Sequence, residues 1–141
     1  MRARWVESAR VGAVVGAVAC AAALLAQAPR TLRDGVFSAA QAQRGQRVFT
    51  SICVDCHEMT DFVGPGAYLD KHEGRTLWVM FDFVRSNMPD NDPSSLDPAD
   101  YAAVIAYIFS AYGLPAGAAD MPMDREALES IVITRPPPSG G

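Results

Sequence analysis

The segment Cys53-Val54-Asp55-Cys56-His57 places two thiols and an imidazole within five consecutive residues. A Cys-x-x-Cys-His pattern is typical of c-type haem attachment. The short spacing lets one tight turn present both sulfurs to one edge of a porphyrin, where each sulfur adds across a vinyl group. The imidazole follows directly, so it can reach the iron from the same side. We therefore expect Cys53 and Cys56 to bind haem covalently and His57 to ligate its iron.

Two other chemistries use the same pair of thiols, namely a reversible dithiol and a zinc site. A zinc site needs further ligands beyond His57, and the candidates in this chain are His72 and Cys20. A thioredoxin-like dithiol would lie in a strand–helix–strand context, and the sequence shows no such alternation. Both alternatives stay open beside haem, and the colour of the protein would discriminate between them and haem.

Residues 1–28 have the pattern of an export signal. Three arginines flank an apolar run from Val11 to Ala26 that contains no charged residue. Small residues ending at Ala28 fit a cleavage site, although a proline follows them. Retention as a membrane anchor is a second possibility, although the run is short for a full span, and a lipid on Cys20 is a third. Each of the three would place the rest of the chain outside the cytoplasmic membrane.

The composition predicts one small domain with an acidic surface. The chain has 141 residues, which suits a single domain, and a covalently held haem would enlarge a core that is otherwise small. Between Phe37 and Arg135 there are seven Lys and Arg against fourteen Asp and Glu, a formal charge of −7, compared with −4 for the whole chain. This balance argues against binding to nucleic acid or to an anionic membrane surface. It is compatible with a basic docking partner, and equally with ordinary solubilising charge.

Periodicity and capping signals predict an all-α domain without strand pairing. Four helices are expected: from Ala39 to about Ser51, from Leu77 to about Ser86, from Pro98 to about Tyr112, and after Asp124 to about Ser130. The third is the clearest, because its apolar residues recur at helical spacing after an aspartate and a proline. Three segments are predicted to lack regular structure: a linker at 29–36, a glycine- and proline-containing loop at 58–74 and a disordered tail at 135–141.

The haem motif, with Gly45 and Phe49 before it and Asn87-Met88-Pro89 after it, resembles the class I c-type cytochromes. The resemblance covers about residues 37–134. It implies an all-α fold of about four helices around one covalently attached haem c with its iron.

A glycine inside the first predicted helix also indicates close helix packing, because it costs about 1 kcal/mol relative to alanine and needs a compensating contact. In class I cytochromes the first and last helices cross at a glycine–aromatic pair. The resemblance implies that Gly45 and Phe49 here meet Val104 and Tyr107.

A second axial ligand must come from the face opposite His57, and Met88 is the candidate. It lies in a loop, where the following proline restricts its backbone to extended conformations. Met59 is too close to His57 to cross the ring, and Met80 lies on a helix face predicted to be core. The resemblance places the ligand at Met88 as well. It also implies that the Pro65 carbonyl accepts the ring N–H of the histidine.

One-electron transfer is the function that this ligand set implies, because six-coordinate iron leaves no open position for a substrate. The part from Leu77 to Gly113 looks like the mono-haem cytochromes that accompany periplasmic quinoprotein dehydrogenases. That resemblance implies a periplasmic carrier, separate or part of a dehydrogenase complex, between a dehydrogenase donor and a respiratory acceptor. It would touch the membrane only through a retained N-terminal segment. The alternative is a haem enzyme or gas sensor with an open sixth position, for which His72 is the candidate base.

Overall fold

The computed structural model describes residues 29–136, so the predicted leader and residues 137–141 of the predicted tail lie outside the described part of the chain. The α-helices are α1 (Ala39–Ile52), α2 (Tyr68–Lys71), α3 (Leu77–Asn87), α4 (Pro98–Ala111) and α5 (Arg125–Glu129). Short 3-10 turns span Leu32–Asp34, Cys53–Asp55 and Met59–Asp61. Two strands of two residues each are present, β1 (Arg30–Thr31) and β2 (Ile131–Val132). The predicted all-α class is confirmed.

Helices α1 and α4 cross in direct backbone contact. A Cβ atom placed on Gly45 would lie 1.7 Å from the carbonyl oxygen of Ala103, so a side chain at this position has no room. Beside this point the rings of Phe49 and Tyr107 meet edge to face with their centroids 5.5 Å apart. The crossing implied by the resemblance is therefore present.

Helix α4 forms the centre of the core. It begins after Asp97 with Pro98 in its first turn, as the sequence predicts. Eight of its residues are buried: Tyr101, Ala102, Ala103, Val104, Ile105, Ala106, Ile108 and Phe109. Helix α1 packs on one side of α4 and α3 on another. Full burial of a large apolar side chain contributes about 1.5–3 kcal/mol, so α4 and its neighbours provide much of the stability of the domain.

The two ends of the described chain fold against each other, which corrects the expectation of no strand pairing. Strands β1 and β2 pair in parallel, and the Gly117 N–H donates to the Phe37 carbonyl at 2.7 Å. A Cβ on Gly117 would lie 2.0 Å from the Gly35 carbonyl oxygen, so the chain at Gly35 and the chain at Gly117 touch through their backbones. Strands of two residues are too short to produce an alternating sequence pattern, which is why the pairing could not be predicted.

The structure also places the predicted linker inside the domain, since Leu32 and Val36 of that segment are buried. Arg135, assigned to the tail from sequence, is held by neighbouring carboxylates. Its Nε donates to Glu73 Oε2 at 2.6 Å, and it lies 3.6 Å from Asp70 Oδ1. No helix within residues 29–136 is long and apolar enough to cross a membrane.

Candidate functional site

Residues 53–57, here called the cysteine turn, directly continue α1. The chain leaves the helix in a 3-10 turn, and the N–H groups of Cys56 and His57 both donate to the Cys53 carbonyl, at 3.2 and 2.9 Å. One carbonyl therefore fixes the spacing of the two thiols and the imidazole. Because α1 packs tightly on α4, the turn has a rigid base.

Both cysteines of the turn are free thiols at or near the surface. Cys53 is half-buried, and this burial raises the pKa of its thiol. Cys56 is exposed, and the side chain of Val54 between them is 47% exposed. A haem edge joined to both sulfurs would therefore lie at the surface of the protein.

The His57 ring is 35% exposed and has a carboxylate beside it. Its Nδ1 lies 3.5 Å from Asp61 Oδ2, and that oxygen also accepts the N–H of Glu58 at 2.9 Å. The ring also lies beside that of Phe62, with centroids 5.2 Å apart and the planes tilted by 56°. Within residues 29–136 no hydrogen bond joins His57 to Pro65, the acceptor that the resemblance implies. With Nδ1 next to Asp61, Nε2 is the nitrogen left for a metal.

Residues 88–96, here called the methionine loop, connect α3 to α4. Met88 ends α3 with an extended backbone, at φ −116° and ψ 151°, as the proline after it requires. Its N–H donates to the Val84 carbonyl at 3.0 Å, and its carbonyl accepts the Tyr101 hydroxyl at 2.7 Å. Both polar groups of the Met88 backbone are thus bonded, one to α3 and the other to α4.

The other described methionines occupy the positions expected of packing residues or surface residues. Met80 and Met121 are buried in the core, at 1% and 2% exposure, and Met59 is half-buried. Met123 is 45% exposed beyond α4. Met88 combines partial exposure with a fixed backbone in the loop.

A zinc site would need further ligands close to the cysteine turn. Within residues 29–136, no three His, Cys, Asp or Glu side chains converge on a point that could hold a metal ion. The candidate ligand His72 instead stacks on Tyr68, with ring centroids 4.0 Å apart, and its Nδ1 lies 2.8 Å from the Tyr68 carbonyl oxygen. The other candidate, Cys20, lies outside the described residues.

The residues of the turn and the loop fit a covalently held haem. The turn supplies two free thiols and an imidazole at the spacing that thioether attachment needs. The loop supplies a thioether whose backbone is already fixed. Several large apolar side chains lie near these segments in sequence and remain only partly buried: Met59, Phe62, Val63, Val84 and Leu96. A porphyrin is an apolar group of the kind that would cover such side chains.

Residues 40–108 match the family model described as cytochrome c oxidase, cbb3-type, subunit III. This match supports a c-type cytochrome domain in this region. Its cofactor is haem c, covalently bound, with iron, and its activity is haem-based electron transfer. Neither the comparison with curated proteins nor the comparison with solved structures found a match. The fold class and the haem predicted from the sequence are confirmed, and the match supports the resemblance to c-type cytochromes.

The match covers the chain from α1 to most of α4 and includes both the cysteine turn and the methionine loop. The paired segments at the two ends of the described chain lie outside it. Domains of this kind are usually extracellular or periplasmic.

One residue of the site was missed at the sequence level. Tyr101 fits the apolar spacing that predicts α4, yet its hydroxyl contacts the methionine loop. A helical period shows which face a tyrosine occupies and gives no information on the partner of its hydroxyl.

Proposed function

We propose that the domain is a one-electron carrier in which Cys53 and Cys56 form the two thioether bonds and His57 and Met88 are the axial ligands. When bound, haem iron supplies the change between two oxidation states. The observation that carries the proposal is the fixed backbone of Met88, bonded to α3 through its N–H and to α4 through its carbonyl. A loop held in this way presents its thioether at little entropic cost.

Each protein group has a distinct role in this proposal. The cysteine turn tethers the cofactor and orients the imidazole of His57. The thioether of Met88 favours the reduced metal and raises the reduction potential. With both axial positions filled by the chain, substrate has no access to the metal, which favours a carrier over an enzyme or a gas sensor.

The surface charge supports a basic redox partner. Exposed carboxylates occur in the cysteine turn, as Asp55, directly after it, as Glu58, and in the methionine loop, as Asp90 and Asp92. The arginine ion pairs within residues 29–136 involve other acids: Asp70, Glu73, Asp82, Asp120 and Glu129. The four exposed carboxylates lie outside these ion pairs, and we propose that they steer a partner with a positive docking surface.

We further propose that the donor is a periplasmic dehydrogenase and that the acceptor belongs to a respiratory chain. The resemblance of residues 77–113 to cytochromes that accompany quinoprotein dehydrogenases supports this direction of electron flow. The export pattern of residues 1–28 supports a periplasmic location, with the domain either soluble or attached to the outer face of the cytoplasmic membrane.

The ligand set is tested on matured holoprotein by spectroscopy and carbon monoxide binding. The wild type should show the weak charge-transfer band that ferric haem gives with methionine ligation, and its ferrous form should bind carbon monoxide slowly. Met88→Ala should lose the band, bind carbon monoxide rapidly and have a lower reduction potential.

Met80→Leu is the matched control, because Met80 is buried in the core and a similar volume is kept. It should retain the band. Rapid carbon monoxide binding by a wild type without the band would instead favour the haem enzyme or gas sensor.

A further inference from the structure

We propose that the Tyr101 hydroxyl is a positioning group for the methionine ligand: it closes the methionine loop onto α4 and holds the Met88 thioether ready for iron. The inference rests on the proposed ligation by Met88 and adds a residue that controls how firmly that ligand stays in place. Tyr101 acts through the backbone of the loop and does not touch the metal.

One hydroxyl joins both ends of the methionine loop. Tyr101 Oη donates to the Met88 carbonyl oxygen at 2.7 Å and accepts the Leu96 N–H at 3.2 Å. The Tyr101 residue is only 2% exposed and lies in the first turns of α4, the most buried helix of the domain. The hydroxyl is therefore fixed by the core, and the loop is fixed by the hydroxyl.

The remainder of the loop has few other connections to the core. Residues 90–95 are all exposed. Inside the loop the Asp92 N–H donates to the Pro89 carbonyl at 2.9 Å. The Ser94 hydroxyl donates to the Arg85 carbonyl at 3.1 Å and so ties the loop to α3. Of these hydrogen bonds, the pair at Tyr101 alone connects the loop with α4.

Removing the hydroxyl should leave two polar groups without their partner, the Met88 carbonyl and the Leu96 N–H. A polar group that loses its partner inside a protein costs more than the net value of a hydrogen bond, because it has also lost water. Opening the loop restores hydration to both groups. Without the hydroxyl, the open form of the loop should be more populated and Met88 should leave the iron more often.

The test is Tyr101→Phe in matured holoprotein, with Tyr112→Phe as the matched control. Tyr112 follows the last turn of α4, and its hydroxyl donates to Asp70 Oδ1 at 2.8 Å, far along the helix from the methionine loop. Both variants remove one bonded hydroxyl, from α4 or from the residue directly after it, and both keep the ring. Only Tyr101→Phe should change the behaviour of the methionine ligand.

Two readouts separate positioning from general destabilisation. Carbon monoxide should bind ferrous Tyr101→Phe at least roughly two- to tenfold faster than wild type, because one lost hydrogen bond gives about that factor and this hydroxyl makes two. On titration with urea, its charge-transfer band should disappear before the far-ultraviolet circular dichroism changes. In wild type and in Tyr112→Phe the two transitions should lie closer together.

A third measurement needs no variant. In wild-type holoprotein the Leu96 amide should exchange with solvent much more slowly than the amides of Ser94 and Ser95, because the Tyr101 hydroxyl accepts its hydrogen. Equal exchange at the three positions would overturn the inference, even if Tyr101→Phe failed to mature.

Unchanged carbon monoxide binding in Tyr101→Phe, or an equal effect in Tyr112→Phe, would also overturn the positioning role. Either result leaves Met88 ligation intact as long as wild type shows its charge-transfer band. If wild type itself lacks the band, the proposed ligand set has failed, which is a separate and recognisable outcome.

Discussion

The cysteine turn and the methionine loop, which we propose hold the same haem, are positioned by different structural means. In the turn, one carbonyl at Cys53 accepts two N–H groups within four residues, so local backbone geometry alone sets the positions of the thiols and the imidazole. In the loop, Met88 is positioned by contacts to two helices, and the contact to α4 comes from a residue thirteen positions away. The local backbone geometry of the turn suits a covalent tether. The longer-range contacts of the loop suit a ligand that can dissociate.

The largest expected effect comes from removing the two cysteines of the turn. Cys53→Ala combined with Cys56→Ala should abolish covalent haem, because no thiol remains in the described domain to form a thioether. Acid–acetone extraction of protein exported by its native route measures the attached haem. Cys56→Ala alone should retain at most one thioether.

Val54→Ala is the control for the tether, since that side chain is 47% exposed and lies within the same turn. It should keep its haem through extraction. Haem that resists extraction from the double variant would show that the tether lies elsewhere.

The contrast also explains which parts of the site could be predicted from the sequence. The turn geometry at residues 53–57 was predictable because it involves five consecutive residues. The extended backbone of Met88 was predictable because Pro89 constrains it directly. The bond from Tyr101 was not, because a hydroxyl on a buried helix face has no sequence signature for its partner.

The fold shows the same division between local and long-range signals. The α1–α4 crossing could be expected from a glycine that is unfavourable in a helix unless another backbone approaches it. The pairing of β1 with β2 depends on contacts between the two ends of the domain, and two residues per strand carry no periodic pattern. Leu32 and Val36 were assigned to a linker from their sequence context, and their burial likewise depends on contacts between the two ends of the domain.

Widening the α1–α4 crossing should disturb both the cysteine turn and the methionine loop. The turn continues α1, and the loop is bonded to Tyr101 of α4. In Gly45→Ala the new Cβ would lie 1.7 Å from the Ala103 carbonyl oxygen, so the helices must separate. Overpacking of this kind costs about 3 kcal/mol, and the better helix propensity of alanine returns about 1 kcal/mol. We expect a net loss of about 2 kcal/mol in the free energy of unfolding, from these two values.

Urea titration of the holoprotein measures this loss. Gln46→Ala, at an exposed position one residue along α1, should change stability by less than about 0.5 kcal/mol. A Gly45→Ala variant as stable as wild type would show that the close crossing does not limit the packing of the two helices.

The smallest expected effect concerns which of the two regions a partner approaches. Two double variants neutralise one region each: Asp55→Asn with Glu58→Gln at the cysteine turn, and Asp90→Asn with Asp92→Asn in the methionine loop. A basic c-type cytochrome serves as the probe, and stopped-flow spectroscopy measures the rate of electron exchange. Each variant should lower that rate about two- to threefold at low ionic strength, since two unpaired charges contribute to steering. The difference in rate between wild type and each variant should disappear near 1 M salt, where the screening length is about 3 Å.

Glu126→Gln, on the exposed surface of α5, controls for net charge and should have a smaller effect than either pair. A rate lowered by only one of the two pairs would assign docking to that region, and rates unaffected by both would refute electrostatic steering at this face.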